Sequence, residues 1–255
     1  MQSSGTMNSR EVYLVTGASK GLGRSICQLL SNRGFVIIGL ARDSPQLRDL
    51  DNELKSNNPQ SAAIVCDLSK PDEINKVGQM IKQDYPTING VIHNAGIIGP
   101  VGSMFDVDIK EWNETMMVNL QSVQQLTKVI FPAMRNAEHC RVTTISSGAA
   151  VNSLESWSAY CSSKAGLEMW TKCLADEGAK DGISAISIAP GIVDTEMQAT
   201  IRSVSEEDFP MVSKFVEFHE KGHLVAPQKV AMSLLNLITK HKFEQTGQRF
   251  DVRDL

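Results

Sequence analysis

Short runs of almost continuously apolar residues recur along the chain, separated by stretches with helical periodicity. The apolar runs lie within EVYLVTG, FVIIGLAR, SAAIVCDLS, INGVIHNAG, RVTTISSGAA and ISAISIAPG, and GQRFDV predicts a last strand near the C-terminus. Two of the helical stretches are LGRSICQLLSNRG, which ends at a glycine, and PDEINKVGQMIKQD. Strands that are apolar on both faces and alternate with helices form parallel sheets. We therefore predict an α/β fold: a doubly wound parallel sheet of about seven strands, with helices on both faces.

The chain is predicted to form a single domain. It shows no internal repeat, low-complexity tract or long linker over residues 10–255, and residues 1–9 form a polar lead that we expect to be disordered. Residues 192–226 break the alternation of strands and helices, and they are rich in charge, methionine and phenylalanine. We interpret this segment as an excursion over the carboxyl edge of the sheet that covers the substrate, rather than as a second domain.

The composition is that of a globular protein, because 42% of the 255 residues are hydrophobic and 21% are charged. The net charge of −4 argues against a nucleic-acid partner and gives no attraction to anionic membranes. The N-terminus lacks the apolar middle of a signal peptide, and no apolar run is long enough to span a bilayer. The five cysteines include no Cys-x-x-Cys pair, which favours reduced packing residues. These observations predict a cytoplasmic protein with no membrane or nucleic-acid partner.

A glycine-rich loop, TGASKGLG, joins the first predicted strand to the first helix. Gly17, Gly21 and Gly23 allow a tight turn and a close approach of the backbone to a ligand. The helix that follows offers free N–H groups and a partial positive charge to a pyrophosphate. This context predicts a dinucleotide site in a Rossmann-type domain.

The end of the second strand should distinguish between the two nicotinamide dinucleotides. An acidic residue there would bind the ribose 2′-hydroxyl of NAD, whereas an arginine suits the 2′-phosphate of NADP. The chain has Arg42 followed by Asp43, and Lys20 in the glycine loop is a second cation within reach. We therefore favour NADP (NADPH) as cofactor. The alternative is that both cations are solvated and that Asp43 binds a ribose.

The stretch SAYCSSKAG places Tyr160 one helical turn before Lys164. The two side chains project from the same face of a helix, and an ammonium group nearby would lower the pKa of the phenol. Such a pair could act as an acid or base near neutrality. The alternative is an exposed helix on which the aromatic residue and the charge are incidental.

Together, these motifs resemble the short-chain dehydrogenase/reductase family over about residues 10–250. CDLS, MVNL, ISSGAA and APGIVDTEM occur in the order of that family, and HNAG resembles its Asn-Asn-Ala-Gly with His93 replacing the first asparagine. The C-terminal sequence is most similar to the sepiapterin reductase and benzil reductase branch. The loop and the resemblance together imply these cofactor contacts: Gly17, Ser19, Lys20, Gly21, Leu22, Gly23, Arg42, Asp67, Leu68, Asn94, Ala95, Gly96, Tyr160, Lys164, Pro190, Gly191, Val193 and Thr195.

The resemblance also implies four catalytic residues for hydride transfer between the cofactor and a carbonyl carbon. Tyr160 would be the general acid in reduction, or the base in oxidation, and Lys164 would lower its pKa and bind the nicotinamide ribose. Ser147 would donate a hydrogen bond to the carbonyl oxygen. Asn119 would position a water behind Lys164.

The substrate would lie above the nicotinamide, against an adaptable apolar wall. No fixed charge stands out as a substrate anchor, which favours an uncharged ketone, diketone or aldehyde. His219, Glu220 and His223 could suggest a metal, but Gly222 interrupts the helix and the chemistry needs none. The candidate lining residues are Ala149, Val151, Leu154, Trp157, Ile192, Met197, Phe209, Met211 and Phe215.

The function predicted from the sequence is NADPH-dependent reduction of a small, largely apolar ketone or diketone, such as benzil or a pterin side chain. The alternatives are an alcohol or steroid dehydrogenase working in the oxidising direction, a non-catalytic NADP-binding sensor, and a methyltransferase with a similar glycine loop. The resemblance further implies a homodimer or homotetramer that pairs through helices at about residues 112–135 and 158–180.

Overall fold

The computed structural model describes residues 10–254, so the predicted disordered lead lies outside the described residues. Seven parallel strands form one sheet in the order β3-β2-β1-β4-β5-β6-β7. This confirms the predicted single-domain, doubly wound α/β fold. The strands are β1 (Val12–Thr16), β2 (Val36–Ala41), β3 (Ala62–Val65), β4 (Gly90–His93), β5 (Cys140–Ile145), β6 (Ile183–Ala189) and β7 (Arg249–Asp251).

Helices cover both faces of the sheet. Successive side chains of a strand point to opposite sides, and the apolar side chains on each side pack against helices. The helices are α1 (Gly21–Asn32), α2 (Pro45–Asn57), α3 (Pro71–Asp84), α4 (Ile109–Met116), α5 (Ser122–Met134), α6 (Ser158–Gly178), α7 (Glu196–Arg202), α8 (Val212–Glu220) and α9 (Pro227–Lys240). Tyr13 and Val15 of β1 pack in one apolar cluster with α1 and α9, whereas Leu14 packs on the opposite face with α3 and α5.

The helix predicted at about residues 112–135 is interrupted by a π-helical turn. α4 ends at Met116, the turn spans Met117–Gln121, and α5 continues from Ser122. The turn contains Asn119, which is fully buried. Single π-helical turns are often found at functional sites. The second long helix, predicted at about residues 158–180, is α6, followed by a 3₁₀ turn at Ala179–Asp181.

The segment over residues 192–226 leaves the sheet and returns to the same point. Val193 and Val225 form a parallel bridge, in which Asp194 N donates to Val225 O at 2.9 Å and Val225 N donates to Ile192 O at 2.9 Å. Between these ends, α7 and α8 pack against an apolar cluster that includes Trp157 and Tyr160. The excursion is therefore held over the carboxyl edge of the sheet.

Two further properties of the chain bear on the predictions from composition. Cys27, Cys66, Cys140, Cys161 and Cys173 are all free thiols. Within residues 10–254, no helix combines the length and the apolar character that crossing a membrane requires.

Candidate active site

The carboxyl ends of the strands and the excursion enclose a cleft of about 1250 Å³. It lies where the chain order reverses between β1 and β4, which is where open α/β sheets bind their ligands. All the predicted site residues line this cleft except Gly23 and Asn119. The fold therefore brings these predicted residues together from the segments that follow the first six strands.

The glycine loop packs closely against neighbouring segments and leaves little room for side chains, since a Cβ atom on Gly17 would lie 2.8 Å from Asn94 Nδ2. Gly17 and Gly21 have φ angles of +68° and +56°, which favour glycine. A Cβ atom on Gly23 would lie 2.3 Å from the Gly17 carbonyl oxygen, so this glycine lets α1 pack closely under the loop instead of lining the cleft. Lys20, which precedes α1, directs its side chain to Glu196. Within residues 10–254, no side chain caps the first N–H groups of α1. This geometry suits a pyrophosphate.

Asn94 and His93 have different roles, although they are adjacent. The Asn94 side chain donates to Thr16 O at 2.9 Å, and the Asn94 backbone N–H donates to Thr16 Oγ1 at 3.0 Å, which ties the loop after β4 to the end of β1. His93 points away from the cleft, with its Nε2 atom 2.9 Å from Thr127 Oγ1 and its ring against the edge of Trp170. Burial lowers the pKa of His93 to about 3. The replacement at position 93 therefore leaves the cleft unchanged.

The adenosine end of the cleft contains Arg42, whereas Asp43 lies outside the cleft and pairs with Arg48. Asp67 lies opposite, at the end of β3. Burial acts to raise the pKa of Asp67, but hydrogen bonds from Ser69 and the charges of neighbouring cations, Arg42 among them, outweigh it and hold the pKa below its usual value. Arg42 thus places a cation near Asp67 at this end of the cleft.

Tyr160 and Lys164 are buried one turn apart on α6, and the Lys164 Nζ atom lies 5.7 Å from the centre of the Tyr160 ring. Lys164 Nζ donates to the Ile145 carbonyl oxygen at 2.8 Å. Burial lowers the pKa of Lys164 to about 8, and the carboxylate of Glu168 acts in the opposite direction.

The pKa of Tyr160 is raised rather than lowered, in contrast to the expectation from its spacing to Lys164. Burial raises the pKa of Tyr160 to about 12, and the hydrogen bond with Ser147 opposes this only in part. The apolar cluster under the excursion withdraws the phenol from water, which penalises the phenolate. The ammonium of Lys164 lies over the ring and gives its hydrogen bond to the backbone, so it does not compensate for burial.

Ser147 and Asn119 differ in how far they are available to a ligand. Ser147 lines the cleft, and its Oγ atom accepts a hydrogen bond from Ala149 N at 3.1 Å. The Asn119 amide donates to Ile97 O and to Ser163 Oγ, both at 2.9 Å, and accepts from Ile97 N at 2.8 Å. Both N–H groups of Asn119 are thus committed, and the predicted water behind Lys164 finds no donor on this side chain.

The apolar wall of the cleft is built on Trp157, which stacks on Phe209 at 5.1 Å and meets the Tyr160 ring edge-on at 5.6 Å. Two predicted lining residues are not there: Phe209 is fully buried beneath Trp157, and Val151 is 60% exposed outside the cleft. The other seven candidates do line it: Ala149, Leu154, Trp157, Ile192, Met197, Met211 and Phe215.

The cleft is also lined by residues that were not predicted, among them the charged Glu111, Glu114 and Lys214 and the aromatic Phe218. The spacing of three residues between Glu111 and Glu114, which places them on one face of α4, was an available signal. His219 and His223 lie on either side of the α8 C-terminus, where Gly222 has a φ angle of +69°. Over residues 10–254, no group of three His, Cys, Asp or Glu side chains could hold a metal ion.

The sequence pattern described as short chain dehydrogenase matches residues 11–206. The chain is similar to benzil reductase ((S)-benzoin forming) of Bacillus subtilis, at 31% identity over 247 residues that cover 96% of this chain and 99% of the relative. The benzil reductase of Bacillus cereus is 30% identical over 237 residues, which cover 91% of this chain and 95% of the relative.

A solved structure adds a comparison with a cofactor bound. It is a short chain dehydrogenase of Shigella flexneri complexed with NADP, which superposes with a TM-score of 0.81 at 27% identity and covers 95% of this chain and 97% of its own. The family match spans the glycine loop, the segment with Tyr160 and Lys164, and the part of the cleft lining that lies before residue 207. The chain therefore belongs to the short-chain dehydrogenase family, and it is an oxidoreductase that acts on carbonyl or alcohol groups with a nicotinamide cofactor.

Proposed function

We propose that the protein is an NADPH-dependent carbonyl reductase that transfers hydride to a small, largely apolar ketone or diketone, such as benzil or the side chain of a pterin. The observation that carries the proposal is the position of Ser147 and Tyr160, which face the cleft beside the apolar wall built on Trp157. The similarity to two benzil reductases supports the same substrate class. Membership of the dehydrogenase family argues against the methyltransferase alternative.

The choice of NADP rests on charge at the adenosine end. Arg42 lines the cleft, and Asp43, the residue that would bind the ribose of NAD, is paired with Arg48 outside it. Arginine binds phosphate groups through several charged donors. The uncapped N–H groups of α1 fit the pyrophosphate. When bound, the reduced cofactor supplies the hydride.

The proposed roles of the catalytic residues follow from their protonation states. Because burial raises the pKa of Tyr160 to about 12, the phenol keeps its proton at neutral pH and can give it to the carbonyl oxygen. Ser147 donates a hydrogen bond to the same oxygen while negative charge develops there. Lys164 is mostly charged below its pKa of about 8, and its ammonium adds positive potential beside the phenol. Asn119 braces α6 against the loop that carries Ile97.

Arg42 argues against the oxidising alternative, because an arginine at this position suits NADP rather than NAD. A preference for NAD over NADP would nevertheless support an alcohol or steroid dehydrogenase. The third alternative, a non-catalytic NADP-binding sensor, predicts that Tyr160→Phe leaves the function of the protein unchanged.

The test is oxidation of NADPH, followed by its absorbance, with benzil, a second diketone, sepiapterin, an aromatic aldehyde and a steroid ketone. Turnover that disappears in Tyr160→Phe supports the reductase and ranks the substrates. The same panel with NADH tests the cofactor. NADPH binding without turnover of any carbonyl would favour the sensor, and faster oxidation of alcohols than reduction of ketones would favour the dehydrogenase.

The assembly is also a proposal: a homodimer or homotetramer that pairs through the outer faces of α4–α5 and α6. On these faces Trp170 Nε1 donates to Gln124 Oε1 at 2.7 Å, beside a shallow groove that includes Leu120 and Gly166. Light scattering of the purified protein tests the proposal, and a monomer at micromolar concentration would contradict it. The cytoplasmic location stays a prediction.

A further inference from the structure

Glu168 lies on α6 one turn after Lys164, so Tyr160, Lys164 and Glu168 form one stripe along the helix at a spacing of four residues. Its residue exposure is 8%, as low as that of many apolar core residues. A buried carboxylate is costly unless it is paired and hydrogen-bonded. The burial of the Glu168 carboxylate therefore requires partners that compensate for its charge.

Two groups from different parts of the fold bind the same oxygen of Glu168. Ser146 Oγ donates to Glu168 Oε1 at 2.5 Å, and Arg249 Nε donates to it at 2.8 Å. Ser146 follows β5 and precedes Ser147, and Arg249 is the first residue of β7. Arg249 also lies 3.9 Å from Asp251 Oδ2. Glu168 thus joins the catalytic helix to the turn that holds Ser147 and to the last strand.

The charge of Glu168 acts on Lys164. On α6 the other close neighbour of Lys164 is the uncharged Tyr160, and the charged Arg249 and Asp251 of β7 lie beyond Glu168. The elements packed on Lys164 from other sides present neutral groups: the Ile145 carbonyl at the end of β5, Gly96 after β4 and the Asn119 amide of the π-helical turn.

We propose that Glu168 is a positioning residue that keeps a larger fraction of the Lys164 side chain charged near neutral pH and, through Ser146, fixes the turn that presents Ser147. The inference rests on the proposed function, because it concerns the residues assigned there to catalysis. Burial lowers the pKa of Lys164 to about 8, which is close to physiological pH. Without the opposing carboxylate, a larger fraction of Lys164 would be neutral at pH 7.

The test uses two variants that break the same ion pair but change the charge near Lys164 in opposite directions. Glu168→Gln keeps an oxygen for Ser146 and removes the negative charge, so the alkaline limb of kcat/KM for ketone reduction should move to lower pH by about one unit. Arg249→Gln leaves the carboxylate without its partner, so the limb should move to higher pH. Both variants should lose stability, so a loss of stability does not distinguish them. The diagnostic result is the direction in which the alkaline limb of kcat/KM moves.

Titration of the Lys164 side chain by ¹³C NMR, assigned with Lys164→Arg, gives the same answer without turnover. The apparent pKa of Lys164 should fall in Glu168→Gln, rise in Arg249→Gln and stay unchanged in Glu177→Gln, which alters an exposed glutamate of the same helix. Shifts in the same direction in the first two variants, or none, would overturn the inference. If the titrations shift as expected but wild type reduces no carbonyl, the proposed function fails and the inference about Lys164 stands.

Discussion

The two ends of the sheet contain similar polar residues, but these are bound to one another at one end and open to a cleft at the other. At the amino-terminal end of β5 and β6, Ser184 Oγ lies 2.7 Å from His139 Nε2 and 2.8 Å from His241 Nε2. His241 Nδ1 contacts Leu237 O at 2.6 Å, and Phe243 stacks on His139 at 4.2 Å. The hydrogen-bonding groups of this cluster are thus bound to one another and covered by an aromatic ring.

At the carboxyl-terminal end, Ser146, Ser147 and Tyr160 line a cleft, and the Ser146 hydroxyl is bound to Glu168 behind it. A serine beside an imidazole could suggest a nucleophile and its base at the amino-terminal end, but Ser184 is fully buried. Residue type alone therefore does not decide whether a hydroxyl group in this molecule can reach a ligand. A hydroxyl acts on a ligand where the packing leaves one of its sides open, and elsewhere it joins elements of the fold.

Tyr160→Phe, at the carboxyl-terminal end of the sheet, should have the largest effect on carbonyl reduction. We expect the rate of carbonyl reduction to fall by about 10²- to 10⁴-fold, because the variant removes the proton donor and keeps the ring packed on Trp157. Steady-state kinetics measure the loss, and thermal unfolding checks that the fold is intact. A variant that retains most of the wild-type rate would contradict the assignment of Tyr160 as the acid.

Acidification should act first on the buried histidines rather than on the cleft. Burial lowers the pKa of His93 to about 3 and that of His139 to about 4, and it also lowers the pKa of His241. Because these values lie below the unfolded value of 6.5, the unfolded state takes up protons first. The folded state is therefore fully favoured above pH 6.5 and loses stability as the pH falls towards the folded values.

At pH 5 the loss should be about 2 kcal/mol for His93, with a smaller share from the partly exposed His139. Urea unfolding between pH 7 and pH 5 measures it. His139→Gln should flatten the dependence on pH, whereas Tyr160→Phe should not, since its phenol titrates at alkaline pH. A free energy of unfolding that stays constant from pH 7 to pH 5 would show that the histidines are not held neutral.

Arg42→Ala tests the adenosine end of the cleft, with Arg48→Ala as its matched control. Arg42 lines the cleft, and Arg48 is an exposed arginine that pairs with Asp43 outside it. We expect kcat/KM for NADPH to fall by roughly tenfold to a hundredfold in Arg42→Ala, with little change for NADH. Arg48→Ala should leave kcat/KM for NADPH unchanged. Equal use of NADH and NADPH by the wild-type protein would count against the proposed preference.

The sheet and most of the cleft were predictable because their signals are local. A strand followed by a glycine loop and a helix can fold in few ways, and the ends of parallel strands share one edge. The positions of Gly17, Arg42 and Lys164 in the cleft follow from that rule. The π-helical turn at Met117–Gln121 was not predictable from the apolar periodicity, since it depends on the bonds of Asn119 to Ile97 and Ser163.

The electrostatics of the site depend on packing that the sequence does not specify. Phe209 and Phe215 belong to the same excursion, but one is fully buried under Trp157 and the other lines the cleft. The same packing buries Tyr160, and burial outweighs the effect expected from Lys164 at a spacing of four residues. A motif therefore predicts which groups meet, whereas the sign of a pKa shift requires the surrounding fold.

Ser184→Ala, in the histidine cluster at the amino-terminal end of the sheet, should have the smallest effect, and this effect should be on stability rather than on catalysis. Removing the hydroxyl leaves His139 and His241 without their shared partner, which should cost about 1–2 kcal/mol of unfolding free energy. The kinetic constants for carbonyl reduction should stay at the wild-type values, because the cluster lies at the edge of the sheet opposite the cleft. Urea unfolding and steady-state kinetics measure both. A fall in kcat at unchanged stability would mean that the two ends of the sheet are coupled and that the closed cluster takes part in function.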